Sequence, residues 1–101
     1  MEVEEFGEYE MNIRTWIEEN YPDETILLAD GFDRAFMGVG RIFNGPAIAV
    51  YDSAMCITML RESGMTQEEA EDYFGYNVIG SYVGEKTPMF VESPRWKRGR
   101  K

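Results

Sequence analysis

The sequence predicts a small α+β domain in which a small antiparallel sheet of about three strands packs against two to three helices. Three observations predict it. Residues 36–51 hold two β-prone runs around an Asn-Gly pair. Residues 52–64 and 66–80 each combine a capping residue, a helically spaced apolar stripe and a closing glycine. Hydrophobic residues make up 44% of the 101-residue chain, enough for one packed interior and too much for a disordered segment.

Taken in order, Phe6, Tyr9, Ile13, Trp16 and Ile17 fall at i, i+3, i+7, i+10 and i+11. That is the stripe of an amphipathic helix over residues 6–20, ended by Asn20-Tyr21-Pro22 because the residue before proline avoids helical angles. Residues 25–29 form an apolar run that suits either a strand or the start of a helix reaching Phe36; periodicity does not decide between them. Phe36–Phe43 and Ala47–Tyr51 then read as a hairpin about Asn44-Gly45, with Pro46 at the start of a strand or on an edge.

Asp52-Ser53 caps a helix carrying Met55, Cys56, Met59 and Leu60 on its apolar face, and Gly64 stops it. Thr66-Gln67-Glu68-Glu69 is a capping box, the most specific local signal in the chain. The helix it opens puts Ala70, Tyr73, Phe74, Asn77 and Val78 on one face and closes at Gly80 or Gly84. Residues 87–92 read as a last strand, the third of the antiparallel sheet. The organisation is an acidic amphipathic helix over 1–24, a core domain over 25–93 and a basic, flexible tail over 94–101.

Charge follows the same division. Residues 1–24 carry −8, residues 25–93 carry −6 and residues 94–101 carry +5, for a net −9. The body repels nucleic acid and anionic membrane, and only the tail (Arg95, Trp96, Lys97, Arg98, Arg100, Lys101) has the cation-and-aromatic character of a nucleic-acid or phosphate-binding arm. No apolar run approaches the ~18 residues that span a bilayer, and the acidic start is unlike a secretory signal. A cytoplasmic protein without a membrane partner is expected.

The chain contains no histidine and one cysteine, so histidine-based triads, imidazole zinc sites, thiolate metal sites and intrachain disulfides are excluded. Cys56 falls on an apolar face, as a small core residue does. Gly38-Val39-Gly40 lacks the third glycine of a dinucleotide loop, since Phe43 stands there, and is read as relief of crowding where a strand bends or where another backbone approaches closely. Asp30, Asp33, Asp52 and Glu85 flank turns where a magnesium site or acid–base pair could form, yet Asp52 already caps a helix and Asp30-Gly31 is turn chemistry. No catalytic residue, metal ligand or cofactor is assigned. Arg41, Tyr51, Asn77 and Tyr82 are the candidate ligand-binding residues, Asn77 as the polar member of an apolar stripe.

From Asp30 to Phe90 the chain resembles a family of small uncharacterised proteins found mostly in tailed bacteriophage genomes. The residues that carry the resemblance are Asp30-Gly31-Phe32, Ala35-Phe36, Gly38-Val39-Gly40, Ala49-Val50-Tyr51-Asp52, Cys56-Ile57, Gly64-Met65, Glu68-Glu69-Ala70, Tyr73-Phe74, Asn77-Val78, Gly80, Tyr82-Val83-Gly84-Glu85 and Thr87-Pro88. Residues 41–45 depart from the family's pattern. The resemblance implies a phage origin and expression inside a bacterium, and transfers no catalytic role.

Three functions follow as expectations. The first is a non-enzymatic phage accessory protein, a module that binds a host or phage protein. The second is a small-ligand binder, with a nucleotide as the ligand class. The third, weaker, is a carboxylate- and magnesium-dependent enzyme. Exposed Met and Tyr residues also suit a homo-oligomer.

Overall fold

In a computed structural model, residues 13–94 of the chain are described. The first part of the expected N-terminal helix and the basic residues 95–101 lie outside them. The fold is α+β, as predicted: three α-helices and one three-stranded sheet among the described residues.

Helix α1 covers 13–20, ends where Tyr21-Pro22 begins, and buries Ile13 and Ile17. Trp16, expected on the same buried stripe, is instead 42% exposed and packs its ring against Tyr21 at 5.7 Å. Residues 25–29 are neither helix nor strand. Ile26, Leu28 and Ala29 pack on the core as extended chain, and Ala29 N–H donates to the Tyr51 hydroxyl at 2.8 Å. A side chain supplies what a sheet ladder otherwise would.

After a short 3₁₀ turn at Asp33–Ala35, strand β1 (Phe36–Gly40) pairs antiparallel with β2 (Ile48–Asp52). Phe36 faces Tyr51 and Gly38 faces Val50, so Met37 is an extra residue, a bulge, and Gly38 beside it has φ of 150°. Gly38 therefore stands where the strand bends, one of the roles the sequence suggested for this glycine pair. The hairpin loop is longer than Asn-Gly alone. Gly45 N–H bonds to the Ile42 carbonyl at 2.9 Å, and only Asn44 takes a positive φ, 64°, within residues 41–47.

Helix α2 (Ser53–Glu62) starts on Asp52, whose side chain accepts from Met55 N–H. It ends in a Schellman motif: Met65 N–H reaches the Leu60 carbonyl and Gly64 N–H the Arg61 carbonyl. Helix α3 (Gln67–Tyr73) opens with the predicted capping box, Thr66 N–H to Glu69 Oε1 at 2.9 Å and Glu69 N–H to Thr66 Oγ1 at 3.1 Å. It runs on into a π-helical stretch, Phe74–Ile79, closed by Gly80 N–H bonding to the Gly75 carbonyl five residues back. A Cβ at Gly80 would lie 2.7 Å from the Tyr76 carbonyl oxygen, so this wide turn closes only on glycine.

Strand β3 (Met89–Val91) completes the sheet in the order β1-β2-β3. It pairs parallel with β2, correcting the expectation of an all-antiparallel sheet. The reason is physical: a tight turn forces antiparallel pairing, whereas residues 53–88, folded as two helices, make the long crossover that a parallel pair needs.

The core is an aromatic chain. Phe36 on β1 meets Tyr51 on β2 at 5.7 Å, Tyr51 stacks on Phe90 of β3 at 5.5 Å, and Phe90 meets Phe74 edge-to-face at 5.4 Å. Around it Ala35, Ala49 and Cys56 are buried. Such ring pairs contribute roughly 0.5–1.5 kcal/mol each beyond burial of area, so one line of rings ties all three strands to the helical layer.

Candidate functional site

The crossover that makes β3 parallel also opens a groove. Its volume is about 660 Å³, and its walls come from residues 27–32, the end of α2, the α3–π helix and residues 81–90. Leu27, Leu28, Met59, Leu60, Val78 and Phe90 make it mainly apolar, and Asp30, Ser63, Asn77, Ser81 and Thr87 add polar groups. Two of these are already engaged. Ser63 Oγ donates to the Leu60 carbonyl, and Thr87 Oγ1 donates to the Gly84 carbonyl while accepting from Val83 N–H.

Thr87 thus holds the 83–87 turn. Asn77 is exposed, and its amide makes no hydrogen bond among the described residues, which leaves it free at the groove wall. Ala70 and Phe74 are buried and Val78 packs partly on the core, whereas Tyr73 and Asn77 flank that line and are exposed. Tyr76, Ile79, Tyr82 and Val83 are exposed as well, Tyr76 at 83%.

The other predicted site residues do not meet Asn77. Tyr51 is fully buried, with its hydroxyl bonded to Ala29 N–H and its pKa raised by burial. Arg41 pairs with Glu24 at 2.8 Å, and Glu24 also accepts from Ala47 N–H, so this carboxylate, missed from the sequence, clamps both ends of the hairpin loop. The Arg41 hydrogen bond holds the Glu24 carboxyl below the usual range. Tyr82 is exposed and does not line the groove. The candidate tail residues Arg95, Trp96, Lys97, Arg98, Arg100 and Lys101 lie outside the described residues.

Among the described residues, no three Asp, Glu or Cys side chains are gathered where one metal ion could be held. Asp52 is the α2 cap, and the Cys56 thiol is fully buried, its pKa pushed up to about 12 by burial first and by the Asp52 charge second. No described helix is long and apolar enough to cross a membrane.

Against protein-family models, curated proteins and solved structures, no match is found. The groove itself was not legible in the sequence, because it depends on the crossover. The Tyr73, Tyr76, Ile79, Tyr82 spacing of three residues was the available signal for an exposed apolar run.

Proposed function

We propose that the protein is a non-enzymatic binding module that engages another protein through this groove and the exposed run beside it. The observation that carries the reading is the exposed apolar set Tyr73, Tyr76, Ile79, Tyr82 and Val83, of which Tyr73 and Val83 also line the apolar groove. Tyrosine presents large, rigid contact area, and contiguous exposed apolar surface of this kind marks interaction sites. Helix α3 carries Glu68, Glu69, Glu71 and Asp72 and no base, which favours a partner with a basic rim around its apolar contact and speeds encounter with it.

Asp30-Gly31-Phe32, Tyr73, Asn77-Val78, Val83 and Thr87-Pro88, from separate stretches of the phage-protein resemblance, line the groove. We read the protein accordingly as a phage accessory protein acting in the cytoplasm of the bacterial host on a host or phage protein. Capture from infected-cell lysate compares the chain with a Tyr76→Ser/Tyr82→Ser variant. A stoichiometric partner held by the first and lost by the second supports the reading; equal recovery, or no partner at low salt, counts against it.

The groove also favours a second reading. About 660 Å³ lies within the range of small-molecule sites, and the uncommitted Asn77 amide suits a nucleobase edge or another planar polar group. A ligand at 100 times its dissociation constant stabilises a fold by ~2.7 kcal/mol. A thermal-shift series over nucleotides with no response counts against this second reading.

A further inference from the structure

A second cleft, of about 620 Å³, runs along a different face of the α3–π helix; Glu71, Phe74 and Ile79 line it and none of them lines the groove. Its opposite wall is the start of α2, and Glu92 and Ser93, just beyond β3, also line it. Three features point to what fills it. Ser53 is only 6% exposed, its Oγ has no hydrogen-bond partner, and it stands in the cleft wall. Glu71 and Glu92 bring two carboxylates to a cleft with an apolar floor of Ile57, Phe74 and Ile79, and no cation is among its lining residues. One oxygen of Glu71 is taken by Gln67 Nε2 at 2.7 Å, which orients the carboxylate.

The third feature is connectivity. Ser93 lines the cleft, and one residue past Pro94 the chain continues as Arg-Trp-Lys-Arg-Gly-Arg-Lys, five cations and one indole without an acid. Seven residues reach at most ~25 Å, so this segment starts at the cleft with an effective concentration on the millimolar scale. We propose that the cleft is the receptor for the chain's own residues 95–101. Glu71 and Glu92 take the cations, the apolar floor takes the Trp96 ring, and Ser53 Oγ accepts from a donor of the segment. This is independent of the groove on the other face. It also withholds the one basic segment from nucleic acid while docked.

Backbone ¹⁵N relaxation on the full chain tests it. At low salt, order parameters of residues 95–98 should be about 0.85, as in rigid backbone, and should fall below ~0.6 in Glu71→Gln/Glu92→Gln and in Trp96→Ala. The same fall is expected in ~1 M salt, where the screening length is ~3 Å. Values below ~0.6 at low salt in the unaltered chain overturn the proposal. So do rigid values that the glutamate substitutions leave unchanged, which place the segment elsewhere, and values that fall on dilution, which make a second copy the receptor.

Discussion

Replacing Tyr51 with phenylalanine separates the two roles open to this residue. The ring is fully buried between Phe36 and Phe90, and phenylalanine keeps both contacts. What it removes is the oxygen that accepts from Ala29 N–H at 2.8 Å, in a partly buried stretch with no ladder partner. A buried donor left unpaired costs about 1–3 kcal/mol. For a domain of this size 1 kcal/mol moves Tm by roughly 4–8 °C, so a fall on the order of 10 °C is expected. In urea the midpoint should drop with the slope unchanged, since the surface exposed on unfolding is the same. Alkali adds a second signature. Burial raises the tyrosine pKa from 10.0, so the folded state keeps a proton that the unfolded state releases. That contribution is complete below pH 10.0 and is lost as pH rises through the folded value, and the phenylalanine variant should lack this part of the alkaline decline. A midpoint shift equivalent to less than ~0.5 kcal/mol, the scale of ordinary surface changes, would refute the hydrogen bond's structural role.

Other perturbations follow from the same geometry. Gly80→Ala places a Cβ 2.7 Å from the Tyr76 carbonyl oxygen and should cost about 1–3 kcal/mol, with amide shifts confined to residues 73–83. Thr66→Ala removes the capping-box acceptor and should cost about 1 kcal/mol in urea unfolding, the usual worth of such a cap. Cys56 should react with a thiol reagent only as fast as the domain opens. Its stabilising contribution is full below pH 9.0 and is lost as pH rises toward about 12, a slope that Cys56→Ala should remove. Glu24 behaves oppositely: Arg41 lowers its pKa from 4.5, so its contribution holds above pH 4.5 and disappears as pH falls through the folded value. Glu24→Gln should flatten that part of the acid unfolding curve.

Local signals were legible and long-range ones were not. Asp52, Gly64 and the Thr66/Glu69 box act within a few residues of themselves, and each stands where the sequence placed it. Asn44-Gly45 marked a turn correctly, but its loop is held by Glu24, a carboxylate twenty residues earlier with no local signature. The direction of β3 depends on how two helices fold back, which no pattern within residues 87–92 encodes. Asn77 was singled out for being polar on an apolar stripe; the core takes only the line Ala70, Phe74 and Val78, so Asn77, like Tyr73 one turn earlier, flanks it and lines the groove. Tyr51 misled for a related reason. Its hydroxyl serves a backbone N–H 22 positions away, so a polar tip expected to meet a ligand is satisfied inside the fold.

The division between core and exposed run makes the functional reading testable without confusion with folding. Stability rests on the ring chain Phe36–Tyr51–Phe90–Phe74, the helix caps and the Glu24 clamp. Tyr76 and Tyr82, at 83% and 76% exposure, belong to none of these. Surface substitutions away from packing and hydrogen bonds usually stay within ±0.5 kcal/mol. The Tyr76→Ser/Tyr82→Ser pair should therefore unfold at nearly the same urea concentration as the unaltered chain while losing its partner. If the pair instead destabilises the domain by about 2 kcal/mol or more, the magnitude of a lost core contact, these tyrosines are holding the fold together and the exposed run is not a docking edge.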